Sequence, residues 1–100
     1  MLLLSRFIIQ GHSMEPNILQ GQTILVSSIP YLFFKPKIGD IVVIKNNKYL
    51  VKRIARIDPS ADGERYFVSG DNKKDSMDSR KLGWISREDI VGKVIYTINF

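Results

Sequence analysis

A chain of 100 residues, 44% hydrophobic and 25% charged, has the composition of one globular domain with one modest core. It contains no cysteine, which excludes disulfides, thiolate catalysis and cysteine-held zinc or iron–sulfur centres. Lys and Arg number 15 against 10 Asp and Glu, a net charge of +5. These basic residues run from Arg6 to Lys93 with no recognition helix or zinc-finger pattern. Nucleic acid is therefore not an expected partner, whereas a basic soluble surface and attraction to anionic lipid both stay open.

The N-terminal stretch MLLLSRFII is apolar but broken at Ser5 and Arg6. It falls well short of the about 20 apolar residues a spanning helix needs, and no small-residue cleavage site follows it. Residues 1–9 read either as the opening strand or as the approach to a membrane anchor. Arg6 to Gln10 predicts a short strand, and GHSMEP a tight turn punctuated by Gly11 and Pro16. Thr23 to Ser27 is β-branched and predicts a buried strand. Ile29 to Pro36, IPYLFFKP, is a dense apolar cluster whose two prolines argue against a central strand. It is either core or an apolar loop that dips into a bilayer, and Trp84 is open to the same two readings.

Gly39 and Asp40 predict a turn before a strand at Ile41–Ile44, and Asn46–Asn47 another turn. Tyr49 to Asp58 predicts a long strand. Leu50, Lys52, Ile54 and Arg56 share one face of it, and Val51, Arg53, Ala55 and Ile57 the other. Hydrophobicity does not choose between these faces, so a partly buried Lys52 is expected. Asp58 to Glu64 predicts a hairpin connection and Arg65 to Ser69 a strand. Gly70 to Gly83 is a polar loop. Ile85 to Ile90 is a strand end with one helical turn, and Val91 to Phe100 is a closing strand. Short strands, polar turns and no long helical periodicity predict an all-β domain.

Several residues in this frame could do chemistry. Ser13 lies in a glycine-preceded, proline-followed turn, where a nucleophile beside free backbone N–H groups could sit, or a serine that only caps its turn. Of Lys52 and Arg53, adjacent on a strand, one must point inward unless the strand is an edge. The segment GDNKKDSMDSRKLG does not match a calcium loop, and internal Asp–Arg pairing fits it better. His12 stands alone, so it cannot join other histidines around a metal. Its adjacency to Ser13 makes a Ser–His triad awkward.

In order along the chain, these motifs resemble those of the type I signal peptidase family, serine–lysine proteases that remove signal peptides. The matching residues are Gly11–His12–Ser13–Met14–Glu15–Pro16 with Ile18, Leu19 and Gly21, then Gly39–Asp40 with Ile41–Ile44. Val51–Lys52–Arg53 follows, and then Gly70–Asp71–Asn72, Ser76, Asp78–Ser79–Arg80 and Gly83. Gln22 stands where the family usually has Asp.

The resemblance implies a small antiparallel or mixed, barrel-like β core of the kind shared with the self-cleaving SOS and phage repressors. It implies Ser13 as nucleophile, with its own N–H as one oxyanion donor. Lys52 is implied as general base and Ser76 as the hydroxyl that orients the amine. Met14 and Val51 would wall pockets for small residues before the cut. Arg53 with Asp71, and Asp78 with Arg80, would be structural ion pairs. Gly11 occupies a position where some members carry a serine that adds an oxyanion hydroxyl.

Only 16 residues, Ile54 to Ser69, fill the interval where larger members insert a second β-domain. The chain is thus similar to the small peptidases proposed to mature nickel superoxide dismutase. The implied substrate is a preprotein or proprotein met at a membrane surface, on its periplasmic or extracellular side, with no metal or organic cofactor. A self-cleaving or inactive repressor-type regulatory domain is the alternative.

Overall fold

The β-branched runs become strands because they can bury side chains on a pleated surface without giving up backbone hydrogen bonds. In the computed structural model, residues 4–60, 63–73 and 84–98 are described. Strands β1 (Ser5–Ile8) and β2 (Thr23–Ser27) come first, followed by a four-residue helix, α1 (Pro30–Phe33). Next are β3 (Ile41–Asn46), β4 (Lys48–Ser60) and β5 (Gly63–Ser69). A two-residue strand, β6 (Ile85–Ser86), leads through a 3-10 turn at Arg87–Asp89 into β7 (Ile90–Ile98). No helix among the described residues is long and apolar enough to cross a membrane.

The expected all-β architecture is what forms. All seven strands join one open sheet in the order β1-β2-β7-β3-β4-β5-β6, and every pairing is antiparallel. Strand β3 lies near the middle with both faces covered. Val42 and Ile44 enter a cluster with Ile54, Tyr66, Val68, Ile85 and Ile90. Val43 enters a second cluster with Ile9, Met14, Ile18, Ile24 and Val26. Burial on both faces is why Ile41–Ile44 reads as an unbroken apolar run rather than an alternation.

The sheet curls by means of bulges, which add a residue to one strand and sharpen its twist. Register shifts occur at Leu25/Val26 against β7, at Val43/Ile44 against β7, and between Ile54 and Arg56 against β5. The last one corrects the face assignment made from alternation alone. Ala55 is the extra residue, so Ile57 returns to the first cluster beside Ile54. Arg56 turns out to solvent and lies over the Phe67 ring, 5.1 Å from its centre.

The segment Asp58–Glu64, expected as a loop, is mostly ladder, with Asp58, Pro59 and Ser60 paired to Arg65, Glu64 and Gly63. Pro59 is tolerated because β4 has left β3 behind after Arg53, so this stretch is paired on one side only. At Gly92 the strands approach closely. A Cβ there would meet the Ser27 carbonyl oxygen and Val26 Cγ1, each at 2.9 Å.

Candidate active site

The turn carrying Ser13 is tied at its base. Ile9 N–H donates to the Gln22 carbonyl and Gly21 N–H to the Ile9 carbonyl, both at 2.8 Å. Gly11 opens the turn with φ +85°, a conformation glycine takes without the steric penalty a Cβ brings. Inside the turn, the N–H groups of Asn17 and Ile18 both donate to the Met14 carbonyl at 3.0 Å. Met14 and Ile18 are each 1% exposed and anchor the loop in the second cluster. Ser13 is thereby held half-buried between exposed His12 and buried Met14. It lines a cleft of about 350 Å³ together with Met14, Val43, Val51 and residues of β1.

Lys52 lies in the middle of β4, opposite Val42, and is 2% exposed. Its neighbours on the same face, Leu50 and Ile54, belong to or pack against the first cluster. Val51, next to it, looks to the other face and into the cleft that Ser13 lines.

The segment after β5 joins the serine turn to β4. Arg53 donates from Nε and Nη2 to the two carboxylate oxygens of Asp71, each at 2.9 Å. Its Nη1 donates to the Gly39 carbonyl at 2.8 Å. Asn17 Nδ2 donates to Asp71 at 2.7 Å. The hydrogen bonds from Arg53, more than any other influence, hold the Asp71 carboxyl below its ordinary range and push the guanidinium up. Asn72 completes the link. Its N–H donates to the Ser13 carbonyl at 2.8 Å and its Nδ2 to the His12 carbonyl at 3.0 Å. The GHSMEP, VKR and GDN segments, far apart in sequence, thus meet in one place.

His12 Nδ1 lies 2.6 Å from Glu15 Oε2 at the protein surface. Ser76, Asp78 and Arg80 fall outside the described residues. Three positioning residues had no role assigned from sequence: Asn17, Asp40 and Asn72. Asp40 accepts from Tyr31 Oη at 2.7 Å and from Lys37 N–H at 3.0 Å, with Lys93 Nζ 3.6 Å away. Its own carbonyl accepts from Ile54 N–H at 2.8 Å, clamping the turn onto β4 beside Arg53. Asp40 and Asn72 stand inside recognisable motifs, which was their signal. Asn17, one residue past Pro16, had none. Among the described residues no group of three or more His, Asp or Glu could hold a metal.

Residues 1–60 and 59–98 match the family described as signal peptidase, peptidase S26. Signal peptidase I of Buchnera aphidicola subsp. Baizongia pistaciae is 33% identical over 91 residues, covering 85% of this chain and 28% of that protein. The mitochondrial ATP-independent inner membrane protease subunit 2 of Arabidopsis thaliana is 31% identical over 116 residues, covering 89% and 55%. Signal peptidase I P of Bacillus subtilis subsp. natto is 26% identical over 137 residues, covering 90% and 74%. The chain therefore spans about a quarter to three quarters of these relatives' lengths. With a family match running over nearly its whole length, and the serine, lysine and Gly-Asp-Asn segments drawn together in space, the chain belongs to the signal peptidase family, peptidase S26.

Proposed function

We propose that this domain is a serine–lysine endopeptidase that cuts signal peptides or propeptides after small residues. The observation that carries the reading is the meeting of three distant segments: Asn72 holds the Ser13 and His12 carbonyls, and the neighbouring Asp71 holds Arg53, the residue after buried Lys52. The reaction is amide hydrolysis through a serine ester. Neutral Lys52 takes the proton of Ser13 as Oγ attacks the scissile carbonyl carbon. The Ser13 N–H donates to the developing oxyanion. The lysine ammonium then protonates the leaving amine, and the C–N bond breaks. A water molecule, its proton taken by the same lysine, cleaves the ester and returns Ser13 to its starting state.

Met14 and Val51 bound the space for the residues before the cut. Met14 is buried, and the pair is assigned the role of walls for alanine-sized side chains. Ser76 is assigned the hydroxyl that keeps the amine in line. Asp78 with Arg80 is assigned a supporting ion pair beside that of Arg53 with Asp71.

The same reading gives the domain a membrane surface as working place, on its periplasmic or extracellular side. Ile29, Leu32, Phe33 and Phe34 are 46%, 54%, 76% and 66% exposed, with Lys35 and Lys37 beside them. Apolar tips rimmed by lysine suit the boundary between acyl chains and anionic headgroups. The direct test is incubation of the chain and of Ser13→Ala with a panel of preproteins. Cleavage after small residues by the chain alone supports the assignment, and equal cleavage by Ser13→Ala refutes it.

A further inference from the structure

The cleft beside Ser13 changes character along its length. Near the serine its walls are neutral: Met14, Val43 and Val51. At the opposite end Tyr49 forms the wall. Its ring stands 5.4 Å from that of Phe7, tilted by 55°, and the ammonium of Lys45 lies 4.2 Å from its centre. Lys48 lines that end as well and is the one charged residue in the described lining, which contains no carboxylate. Among the described residues no carboxylate pairs with Lys45 or Lys48. Both lysines are exposed at the tip of the β3–β4 hairpin, Lys48 in the cleft lining and Lys45 against the Tyr49 ring, so positive charge gathers at this end of the cleft.

We propose that this lysine–tyrosine end is a subsite for an acidic side chain of the substrate, four or five residues before the scissile bond. The inference rests on the assignment of Ser13 as nucleophile. A strand rises about 3.3 Å per residue, so Lys48, four residues before Lys52 on β4, stands about 13 Å along the strand from the reacting centre. Val51, the wall assigned to the small residues before the cut, lies between the two. An extended substrate following β4 from Lys52 toward Lys48 therefore brings its fourth or fifth residue on the acyl side to Tyr49. The aliphatic part of a Glu side chain covers the ring while its carboxylate meets the lysines. A lysine at that substrate position meets like charge.

The test uses peptides that share a small residue before the cut and differ only at the fifth position before it, as Glu, Gln or Lys. At low salt the chain is expected to cleave the Glu peptide with a kcat/KM about fivefold above the Lys peptide, with Gln between, as suits exposed charges. High salt should shrink the difference. A Lys45→Glu, Lys48→Glu variant should reverse the order, and Lys45→Gln, Lys48→Gln should flatten it. Repeating the series at the fourth position fixes the register. Ser13-dependent cleavage that is indifferent to charge at both positions overturns the subsite alone. Absence of Ser13-dependent cleavage of every peptide overturns the protease assignment and the subsite with it.

Discussion

The cleft beside Ser13, about 350 Å³, has buried Met14 and Val43 in its wall, whereas the groove beside α1, about 660 Å³, is rimmed by the exposed Leu32, Phe33 and Phe34. Around the cleft, Met14 and Ile18 are sunk in the core, and backbone hydrogen bonds close the serine turn at Ile9, Gly21 and Gln22 and tie it to Asn72. Around the groove, Leu32, Phe33 and Phe34 are exposed, and Tyr31 is the ring that anchors α1, through Asp40. The groove's charges are spent locally. Glu64 takes Lys35 at 3.1 Å and the Tyr66 hydroxyl at 3.0 Å, and burial with this carboxylate pushes that hydroxyl up to about 12. Size is thus a poor guide to chemistry in this fold. Convergence of distant segments distinguishes the smaller cleft, the proposed site of chemistry, and apolar exposure distinguishes the groove's rim, the proposed contact surface.

Substitutions should separate the two regions by what they cost. The largest stability loss is expected from Asp71→Ala, which removes a bidentate charge-assisted pair and leaves Arg53 and Asn17 without their acceptor. About 2 kcal/mol is expected, read as a lower denaturation midpoint, with activity falling as the serine turn loosens. The acid side gives the sign. The folded Asp71 carboxyl is depressed, so its contribution is fully present above the unfolded value near 3.8 and fades as pH falls through the lower folded one. Asp71→Asn should therefore flatten that part of the acid denaturation curve.

A smaller loss, about 1 kcal/mol, is expected from Tyr31→Phe, because Asp40 keeps Lys37 N–H and Lys93 when the phenol leaves. Thermal unfolding measures it, and cleavage of a soluble peptide should change little. The least stability effect is expected from Leu32→Ser with Phe33→Ser, within about 0.5 kcal/mol for side chains so exposed. That pair should instead reduce flotation with anionic vesicles. Unchanged flotation would remove the groove's rim from the membrane account.

Most of the fold was legible because strand-forming residues and turn residues alternate cleanly. Thr23–Ser27 is a strand with the bounds its β-branched run suggests. The bulge at Ala55 was not legible, since alternation assumes one residue per step and the extra residue is set by how β4 and β5 curl together. The extension of the β4–β5 ladder through Pro59 was hidden for a related reason. Proline argues against strands in general, and only the topology shows that this stretch has a free side.

For the site, residue types were visible and distances were not. Local spacing cannot say that Arg53 reaches Asp71, 18 positions on, or that Asn72 holds the Ser13 carbonyl. Only the order of the motifs pointed to such contacts. Asn17 carried no signal because an amide after a proline is ordinary in any turn.

The central claim is that Ser13 is activated by buried Lys52. Its most direct measurement is kcat/KM against pH on one preprotein for the wild-type chain and Lys52→Arg, with Ser13→Ala as the zero. A guanidinium keeps the positive charge and does not deprotonate. The account predicts that Lys52→Arg stays folded enough to assay by circular dichroism yet cleaves no faster than Ser13→Ala at any pH. Cleavage by folded Lys52→Arg clearly above that zero would contradict it and make another group the base, with His12, the sequence's single histidine, the first to test.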